Sequence, residues 1–270
     1  MDQPTPTYRA DELPDAGLAG FPALASALAA AQAHRLKTGR PLVTLSYAQS
    51  LDGSITARRG QPLALSGPAA QVFTHRLRAG HSAILVGIGT VLADDPRLTV
   101  RLVDGPDPQP VVLDGSLRCP PHARLLHGTR PPWIATTSQA DPARRAALQA
   151  AGAHLLELPE AEAGRIHLPA LLAVLAGLGM NSLMVEGGAR VITSFLARRL
   201  VDWVALTVVP QFTGGLPAVE ASLEQPGGAH NRFPRLEGVQ STQLGEDWIL
   251  CGKFALANQS VNSSASKTDR

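Results

Sequence analysis

The feature that most constrains the fold is a regular alternation of short apolar segments with helix-forming segments between residues 42 and 199. Three of the predicted helices begin at a proline (Pro68, Pro142 or Pro169), where the missing N–H group costs a helix nothing. Such alternation predicts an α/β fold with a mainly parallel central sheet and helices on both faces. The predicted strands are residues 42–47, 82–86, 110–113, 133–135, 154–158 and 182–185, and the predicted helices are residues 68–78, 142–151, 169–178 and 189–199.

The pattern changes in the last part of the chain, where only strands are predicted, over residues 202–209, 237–244 and 248–254. We expect these strands to add an antiparallel edge to the sheet. Near the start, strong helix formers over residues 21–37, followed by Gly39, predict one appended helix. The expected organisation is a mobile N-terminal segment carrying this helix (1–40), one domain (41–256) and a polar, disordered tail (257–270).

Composition argues against several classes of function. The formal net charge is +2 and the basic residues are scattered, so a nucleic-acid-binding surface is not expected. No apolar stretch reaches the roughly 18–20 residues that cross a bilayer, so no membrane span is expected. Cys119 and Cys251 have neither metal-type nor disulfide-framework spacing, and the eight histidines are scattered, so no metal site is expected. Because acidic residues stand near the N-terminus where a signal peptide carries basic ones, we expect a cytoplasmic protein.

The segment VGIGTVLADDPRLTVR, residues 86–101, follows a buried-looking strand with a glycine turn. In open α/β sheets, ligands bind at the carboxyl ends of the strands. The dinucleotide fingerprint GxGxxG is incomplete here, because Leu92 stands where its third glycine belongs. Thr90 is predicted near the start of a short helix, where N–H groups and a hydroxyl can hold a phosphate. The alternative is a glycine turn that only ends the strand.

A second glycine turn, VEGGA at residues 185–189, follows the most uniformly apolar strand and precedes a helix. Two glycines let the backbone approach a ligand closely, and the new helix offers N–H donors to an anion. Glu186 would be costly to bury without a partner, and the alternative is a tight turn with Glu186 exposed.

Two further segments are ambiguous. SLDG at residues 50–53 is either an ordinary turn or part of a site, because Asp-Gly pairs are common in turns. HRLRA at residues 75–79 stands at the end of the predicted helix 68–78, and its basic residues either complement the dipole of that helix or bind a carboxylate or phosphate.

Together these segments resemble the pyrimidine reductases of riboflavin biosynthesis. The resemblance covers about residues 41–254, and the long motif over residues 86–101 is highly specific. The motifs read, in order, SLDG (50–53), HRLRA (75–79), VGIGTVLADDPRLTVR (86–101), VEGGA (185–189), LVD (200–202) and PQFTGG (210–215). The resemblance implies a dihydrofolate reductase-like fold, NADPH as cofactor and a homodimer. It also implies reduction of a ribosylamino-pyrimidine 5′-phosphate to its ribitylamino form, in which the ribose opens to an imine and C1′ accepts a hydride.

The resemblance implies roles for individual residues as well. Glu186 and Asp52 are the catalytic candidates, and Arg190 is the candidate for the 2′-phosphate of NADPH. The residues implied for the cofactor are Ala48, Thr90, Asp94, Gly115, Gly188, Ala189, Arg190, Val191, Ile192, Thr193 and Ser194. The residues implied for the phosphorylated pyrimidine are Ser66, Arg78, Leu98, Arg101 and Glu186.

One segment departs from the family pattern. Residues 60–65, GQPLAL, lack the polar residue and the tryptophan that some members place against substrate and cofactor. The substrate is therefore left open between the deaminated and the diamino pyrimidine. Two other functions also stay open: an NADPH-dependent reductase of another pterin-like or imine substrate, and a non-catalytic relative that only binds a ligand.

Overall fold

A computed structural model describes residues 18–161, 164–224 and 233–255 of the chain. The helices are α1 (Pro22–Ala29), α2 (Ala31–Thr38), α3 (Pro68–Ala79), α4 (Ile88–Asp94), α5 (Pro142–Ala150), α6 (Leu168–Gly177) and α7 (Ala189–Ala197), with 3₁₀ turns at Leu18–Gly20 and Arg124–His127. The strands are β1 (Leu42–Ser50), β2 (Ser54–Thr56), β3 (Ala83–Gly87), β4 (Gln109–Leu113), β5 (Trp133–Thr136), β6 (His154–Glu157), β7 (Glu160–Ala161), β8 (Arg165–Ile166), β9 (Ser182–Gly187), β10 (Trp203–Val209), β11 (Leu216–Pro217), β12 (Leu236–Leu244) and β13 (Asp247–Phe254).

In the described part of the chain, nine strands form one sheet in the order β12-β13-β10-β1-β9-β3-β4-β5-β6. The strands from β10 to β6 are parallel, whereas β13 pairs antiparallel with both β10 and β12. Two short antiparallel pairs, β2 with β11 and β7 with β8, lie outside this sheet. Because β1, β3, β4 and β9 are parallel, their carboxyl ends meet at one edge, which is where a ligand site is expected.

Helices cover both faces of the sheet. On one face, Leu171 of α6 and Phe195 of α7 pack on Val43 and Leu85, which point from the central strands. On the other face, Phe73 of α3 packs in a cluster with α1, α2 and the alternate strand residues. The central strands are thus buried on both sides, which is the reason their sequences read as continuous apolar runs.

The N-terminal helices belong to the packed core. Phe21 and Leu24 are fully buried, and the Phe21 ring lies 5.3 Å from the Phe73 ring, centroid to centroid. Gly39 ends α2 in the left-handed conformation, with φ of 71°, as the stop signal in the sequence indicated. The predicted single helix over 21–37 is instead divided at Ala30, so that α1 and α2 are separate.

The aspartate of the LVD motif fastens these helices to the sheet. The Asp202 carboxylate accepts two hydrogen bonds from the Arg40 guanidinium, at 2.6 and 2.7 Å. One of its oxygens also accepts the backbone N–H of Val43, at the start of β1. This motif therefore has a structural task, and Asp202 does not line the cavity described below.

The predicted fold class is confirmed, with a mainly parallel sheet, helices on both faces and an antiparallel edge. All nine strands of the main sheet were predicted, with ends shifted by no more than three residues. The short strands β2, β7, β8 and β11 were not predicted, because two or three residues carry no periodicity. No helix in the described ranges is long and apolar enough to cross a membrane.

The predicted domain limits stay predictions. The expected tail (257–270) and residues 1–17 of the expected N-terminal segment lie outside the described residues.

We expect Phe21→Ala to lower the free energy of unfolding by about 3–5 kcal/mol, because it removes a buried ring and leaves a cavity against Phe73. Leu36→Ala is the matched control, since Leu36 is 70% exposed and its truncation should cost less than about 0.5 kcal/mol. Denaturant titration measures both values. Equal, small losses would show that the N-terminal helices contribute little to the stability of the sheet.

Candidate active site

The carboxyl ends of β1, β3, β4 and β9 open on a cavity of about 1490 Å³. Its walls include Ser46–Ala48 of β1, the turns after β3 and β9, one face of α3, and the segment 59–66. A drug-sized ligand occupies a pocket of roughly 300–1,000 Å³. The cavity therefore has room for two small molecules side by side.

The two glycine turns that the sequence singled out pack directly against each other in this cavity. Gly187 and Gly188 have φ values of 105° and 79°, which L-residues rarely adopt. A Cβ atom on Gly188 would lie 3.1 Å from Thr90 Oγ1, and a Cβ atom on Gly87 would lie 2.8 Å from Val191 Cγ2. The Thr90 hydroxyl donates a hydrogen bond to the Gly187 carbonyl oxygen at 3.4 Å. The turn over residues 86–101 thus forms part of the cavity wall.

Helix α7 begins at this junction without a side-chain cap. Gly188 is its N-cap residue and has no side chain that could accept the first N–H groups. Ala189 and Arg190 of the first turn line the cavity. Free N–H groups and the positive end of the helix dipole make this point suitable for a phosphate or another anion.

A buried ion pair occupies another part of the cavity wall. Arg78 of α3 donates from Nε to Glu186 Oε1 at 2.6 Å and from Nη2 to Glu186 Oε2 at 2.7 Å. Its Nη1 donates to the Thr99 carbonyl oxygen at 3.1 Å. Both side chains are only about 13–15% exposed. Burial lowers the pKa of Arg78, but the charge and hydrogen bonds of Glu186 outweigh burial and raise the pKa overall.

Arg101 lies beside this pair on the extended segment that follows α4. Its guanidinium is exposed and donates from Nη1 to Thr99 Oγ1 at 2.9 Å. The segment is held by the Val100 N–H, which donates to Asp107 Oδ1 at 2.7 Å. In the described part of the chain, no carboxylate forms a salt bridge with Arg101. Its charge is therefore available to an anionic ligand.

Most of the residues predicted for the site lie together around this cavity. Thr90 and the glycine turn before α7 form one part of the wall, and Arg78, Glu186 and Arg101 form another. The predicted residues that line the cavity are Ala48, Ser66, Arg78, Thr90, Asp94, Arg101, Gly115, Glu186, Gly188, Ala189, Arg190, Val191, Ile192, Thr193 and Ser194.

Two predicted residues do not line the cavity. The Asp52 carboxylate accepts hydrogen bonds from the hydroxyls of Ser50 and Ser54, at 2.6 and 2.7 Å, and from the N–H groups of Thr213 and Gly214. The hydroxyl of Ser50, followed by that of Ser54 and the backbone donors, holds the pKa of Asp52 far below its usual value. Asp52 thereby joins the SLDG turn to the PQFTGG turn.

Leu98 is the second exception. Its side chain is 1% exposed and packs in the core, and its backbone has φ of 56°. Leu98 therefore contributes to the site only indirectly, because it fixes the course of the chain towards Arg101.

Sequence reasoning missed several cavity residues. His75 and Tyr47 line the cavity, as do Arg118 and Arg165 at the end near Gly115. Burial raises the pKa of Tyr47. His75 precedes Arg78 by three positions in the HRLRA motif, and this helical spacing was a usable signal. Arg118 and Arg165 follow irregular loops, where no periodicity places a side chain. Among the described residues, no group of His, Cys, Asp or Glu could hold a metal ion.

Comparison with known proteins places this chain in a family. Residues 41–250 match the family described as the RibD C-terminal domain. The 2,5-diamino-6-ribosylamino-4(3H)-pyrimidinone 5′-phosphate reductase of Methanothermobacter thermautotrophicus is 40% identical over 216 residues, which are 78% of this chain and 97% of that protein. The riboflavin biosynthesis protein RibD of Bacillus amyloliquefaciens is 37% identical over 79% of this chain, but the match spans only 57% of that protein.

Solved structures agree. The riboflavin biosynthesis reductase Rib7 of Saccharomyces cerevisiae superposes with a TM-score of 0.62 at 27% identity, over 81% of this chain and 91% of its own. RibD of Acinetobacter baumannii superposes with a TM-score of 0.68 at 28% identity, over 82% of this chain and 60% of its own. Fold and relatives together define an α/β oxidoreductase. The chain belongs to the RibD C-terminal domain family, which confirms the resemblance seen in the sequence.

Membership in this reductase family implies a nicotinamide cofactor, and the site fits one. A Cβ atom on Gly187 would lie 3.1 Å from Ile192, and one on Gly188 would lie 3.1 Å from Thr90, so only glycines allow this close packing in the cavity wall. The uncapped start of α7 offers N–H donors beside them. We expect Gly188→Ala to weaken cofactor binding and to lower the melting temperature. An alanine there would have to adopt the positive φ of Gly188, at a cost of about 1–3 kcal/mol, and its Cβ atom would press on Thr90.

The matched control is Gly152→Ala. Gly152 also has a positive φ, of 92°, but lies outside the cavity, so this variant should lose stability and keep its cofactor affinity. Fluorescence titration with the reduced cofactor measures binding to each variant. Unchanged affinity in Gly188→Ala would show that the glycine cradle does not hold the cofactor.

Proposed function

We propose that this chain reduces a ribosylamino-pyrimidine 5′-phosphate to its ribitylamino form, in riboflavin biosynthesis, with NADPH as the cofactor. One observation carries the proposal: a single cavity joins an uncapped, glycine-lined helix start to a cluster of Arg78, Glu186 and Arg101. The helix start suits the diphosphate of a dinucleotide. The arginine cluster suits a phosphorylated, polar second ligand. The named activity of the relatives requires both ligands at once.

The cofactor, when bound, supplies a hydride, and the residues of this chain would hold and orient it. Thr90 and the first turn of α7 would hold the diphosphate, with Ala48 of β1 at the floor of the cavity. Another part of the cavity wall is formed by Gly115, Arg118 and Arg165. Holding two flexible molecules at fixed positions is itself a large part of catalysis, because it converts a bimolecular reaction into an effectively unimolecular one.

The arginines suggest where a 2′-phosphate would bind. Arg190 stands in the first turn of α7, beside the proposed site of the diphosphate. The 2′-phosphate is separated from the diphosphate by a ribose, so Arg190 suits the diphosphate better. Arg118 and Arg165 instead line the end of the cavity, where a Cβ atom on Gly115 would lie 3.2 Å from the Gly164 carbonyl oxygen. We therefore infer that Arg118 and Arg165 select NADPH over NADH, and that Arg190 supports both cofactors.

We expect NADPH to bind at least about tenfold more tightly than NADH. A lost hydrogen bond to a charged group costs about 1.5–3 kcal/mol, so Arg118→Ala should reduce this preference roughly tenfold to a hundredfold. Arg190→Ala serves as the comparison, because it should weaken both cofactors alike. Fluorescence titration gives the six affinities, those of the three proteins for each of the two cofactors. Equal affinity of the unmodified protein for NADPH and NADH would contradict the proposal.

At the substrate end, Glu186 and the two arginines would bind different parts of one molecule. Arg101 has its charge free for the phosphate, whereas Arg78 is engaged with Glu186 and Thr99. The Glu186 oxygens have further lone pairs that can accept hydrogen bonds from amino groups of the pyrimidine. In the proposed reaction, the imine carbon C1′ takes the hydride from the nicotinamide and the imine nitrogen takes a proton from the solvent.

By accepting these hydrogen bonds, Glu186 would orient the substrate so that its reacting carbon C1′ can take the hydride. We propose this as its catalytic role. Asp52 is left out of the catalytic assignment, because four donors occupy its carboxylate and it does not line the cavity.

The diamino pyrimidinone is the substrate to test first, because the relative with that name is matched over 97% of its length. The experiment mixes purified protein and NADPH with the diamino or the deaminated pyrimidine and follows the absorbance of the reduced nicotinamide. Oxidation that depends on one of the two compounds supports the proposal. Oxidation only with another imine substrate would favour the alternative reductase, and ligand binding without any oxidation would favour a non-catalytic relative.

We expect Arg101→Ala to raise the KM for the phosphorylated pyrimidine roughly tenfold to a hundredfold, because one charge-assisted contact is lost. The affinity for NADPH should stay nearly constant, since Arg101 lies at the substrate end. Arg97→Ala is the matched control, because Arg97 is exposed on the same segment and does not line the cavity. Equal KM values in both variants would remove Arg101 from the substrate site.

Assembly and location complete the proposal. β12 forms an edge of the sheet, and Val239 and Trp248 on this side are about half exposed. Edge strands of this kind are commonly covered by another chain, so we propose a homodimer, which the molar mass in solution would reveal. The buried, unpaired Cys119 and Cys251 are compatible with the cytoplasm, which we propose as the location.

A further inference from the structure

His75 stands at the junction of the two arginines in the substrate end of the cavity. It lies on α3, one helical turn before Arg78, and is 5% exposed. The backbone N–H of Arg101 donates a hydrogen bond to His75 Nδ1 at 2.9 Å. Its ring is part of the cavity wall. One side chain therefore connects α3 to the segment that carries Arg101.

The hydrogen bond from Arg101 fixes the tautomer of this ring. An N–H donor requires an unprotonated acceptor, so Nδ1 carries no proton and the neutral ring is protonated at Nε2. Burial, followed by the charges of Arg78 and Arg101, lowers the pKa of His75 to about 3, and Asp107 opposes this shift. The ring is therefore neutral at physiological pH, with Nε2 as a hydrogen-bond donor.

The donor at Nε2 has no use within the described protein. Among the described residues, no protein atom forms a hydrogen bond with Nε2. This nitrogen is also not fully buried. The atom is thus accessible from the cavity. A neutral donor beside two guanidinium groups matches an oxygen-rich ligand, such as a phosphorylated sugar chain.

We propose that His75 binds the substrate through Nε2–H while its Nδ1 positions the backbone of Arg101. This inference rests on the proposed function, because it assigns the donor to an oxygen of the phosphorylated ribose chain. A histidine suits both tasks, since it offers an acceptor and a donor on opposite sides of one rigid ring. A lysine would add a charge and lose the acceptor, and a serine would not reach both partners.

The tautomer can be tested without any turnover. Long-range ¹H–¹⁵N spectra of the histidine rings should show His75 neutral and protonated at Nε2 down to about pH 5, well below the ordinary histidine pKa of about 6.5. Addition of ribose 5-phosphate should shift the His75 Nε2 resonance. A ring that protonates near its ordinary pKa, or a resonance that ribose 5-phosphate leaves unchanged, would overturn the inference.

Two variants separate binding from a merely structural role. His75→Asn keeps an acceptor near the Nδ1 position and removes the distant donor. It should raise the KM for the pyrimidine about tenfold, with kcat, NADPH affinity and melting temperature close to those of the unmodified protein. His75→Leu removes both groups and should raise KM further and lower the melting temperature. His122→Asn is the control, because His122 is exposed and outside the cavity.

A normal KM in His75→Asn would show that His75 has only a structural role, and it would overturn the proposal. Failure of the proposed function is seen separately, because the unmodified protein would then oxidise no NADPH with either pyrimidine. In that case the ribose 5-phosphate titration, compared between the unmodified protein and His75→Asn, still decides whether His75 donates to a phosphorylated sugar.

Discussion

The paired hydrogen bonds between Arg78 and Glu186 are the interaction on which the cavity depends. They join α3, on one face of the sheet, to the carboxyl end of β9 in its centre. Through Thr99 the same guanidinium also fixes the segment that leads to Arg101. A buried charge without a partner is expensive, so neither side chain can leave this arrangement alone. The pair thereby sets the distance between the glycine turn and the arginine cluster.

The motifs of the family divide into two groups with different physical tasks. Glu186 and the glycines after it face the cavity, whereas Asp52 and Asp202 hold loops and helices to the sheet. Both groups contain carboxylates at strand ends or in turns, so residue type alone does not separate them. What separates them is the number of hydrogen bonds that each carboxylate accepts within the protein: four for Asp52 and three for Asp202, but two for Glu186, which still faces the cavity.

Much of the fold could be predicted from the sequence, because aliphatic runs between proline and glycine signals leave few alternatives to a buried parallel sheet. The resemblance assigned both glycine turns to one cofactor site, and their meeting in the fold has a simple reason, since parallel strands end at one edge. The division of the first helix at Ala30 could not be predicted, because alanine is a strong helix former on both sides. Nor could the His75–Arg101 contact, which joins residues 26 positions apart through a loop without periodicity.

The measurement that tests the account most directly is a double-mutant cycle on kcat/KM with Arg78→Gln, Glu186→Gln and the double variant. If the pair acts as one unit, either single variant should lose most of the activity and the double variant should lose little more. The coupling energy should then reach about 1 kcal/mol or more. Losses that simply add would contradict the account, because Arg78 and Glu186 would then contribute independently and the cavity would not depend on their contact.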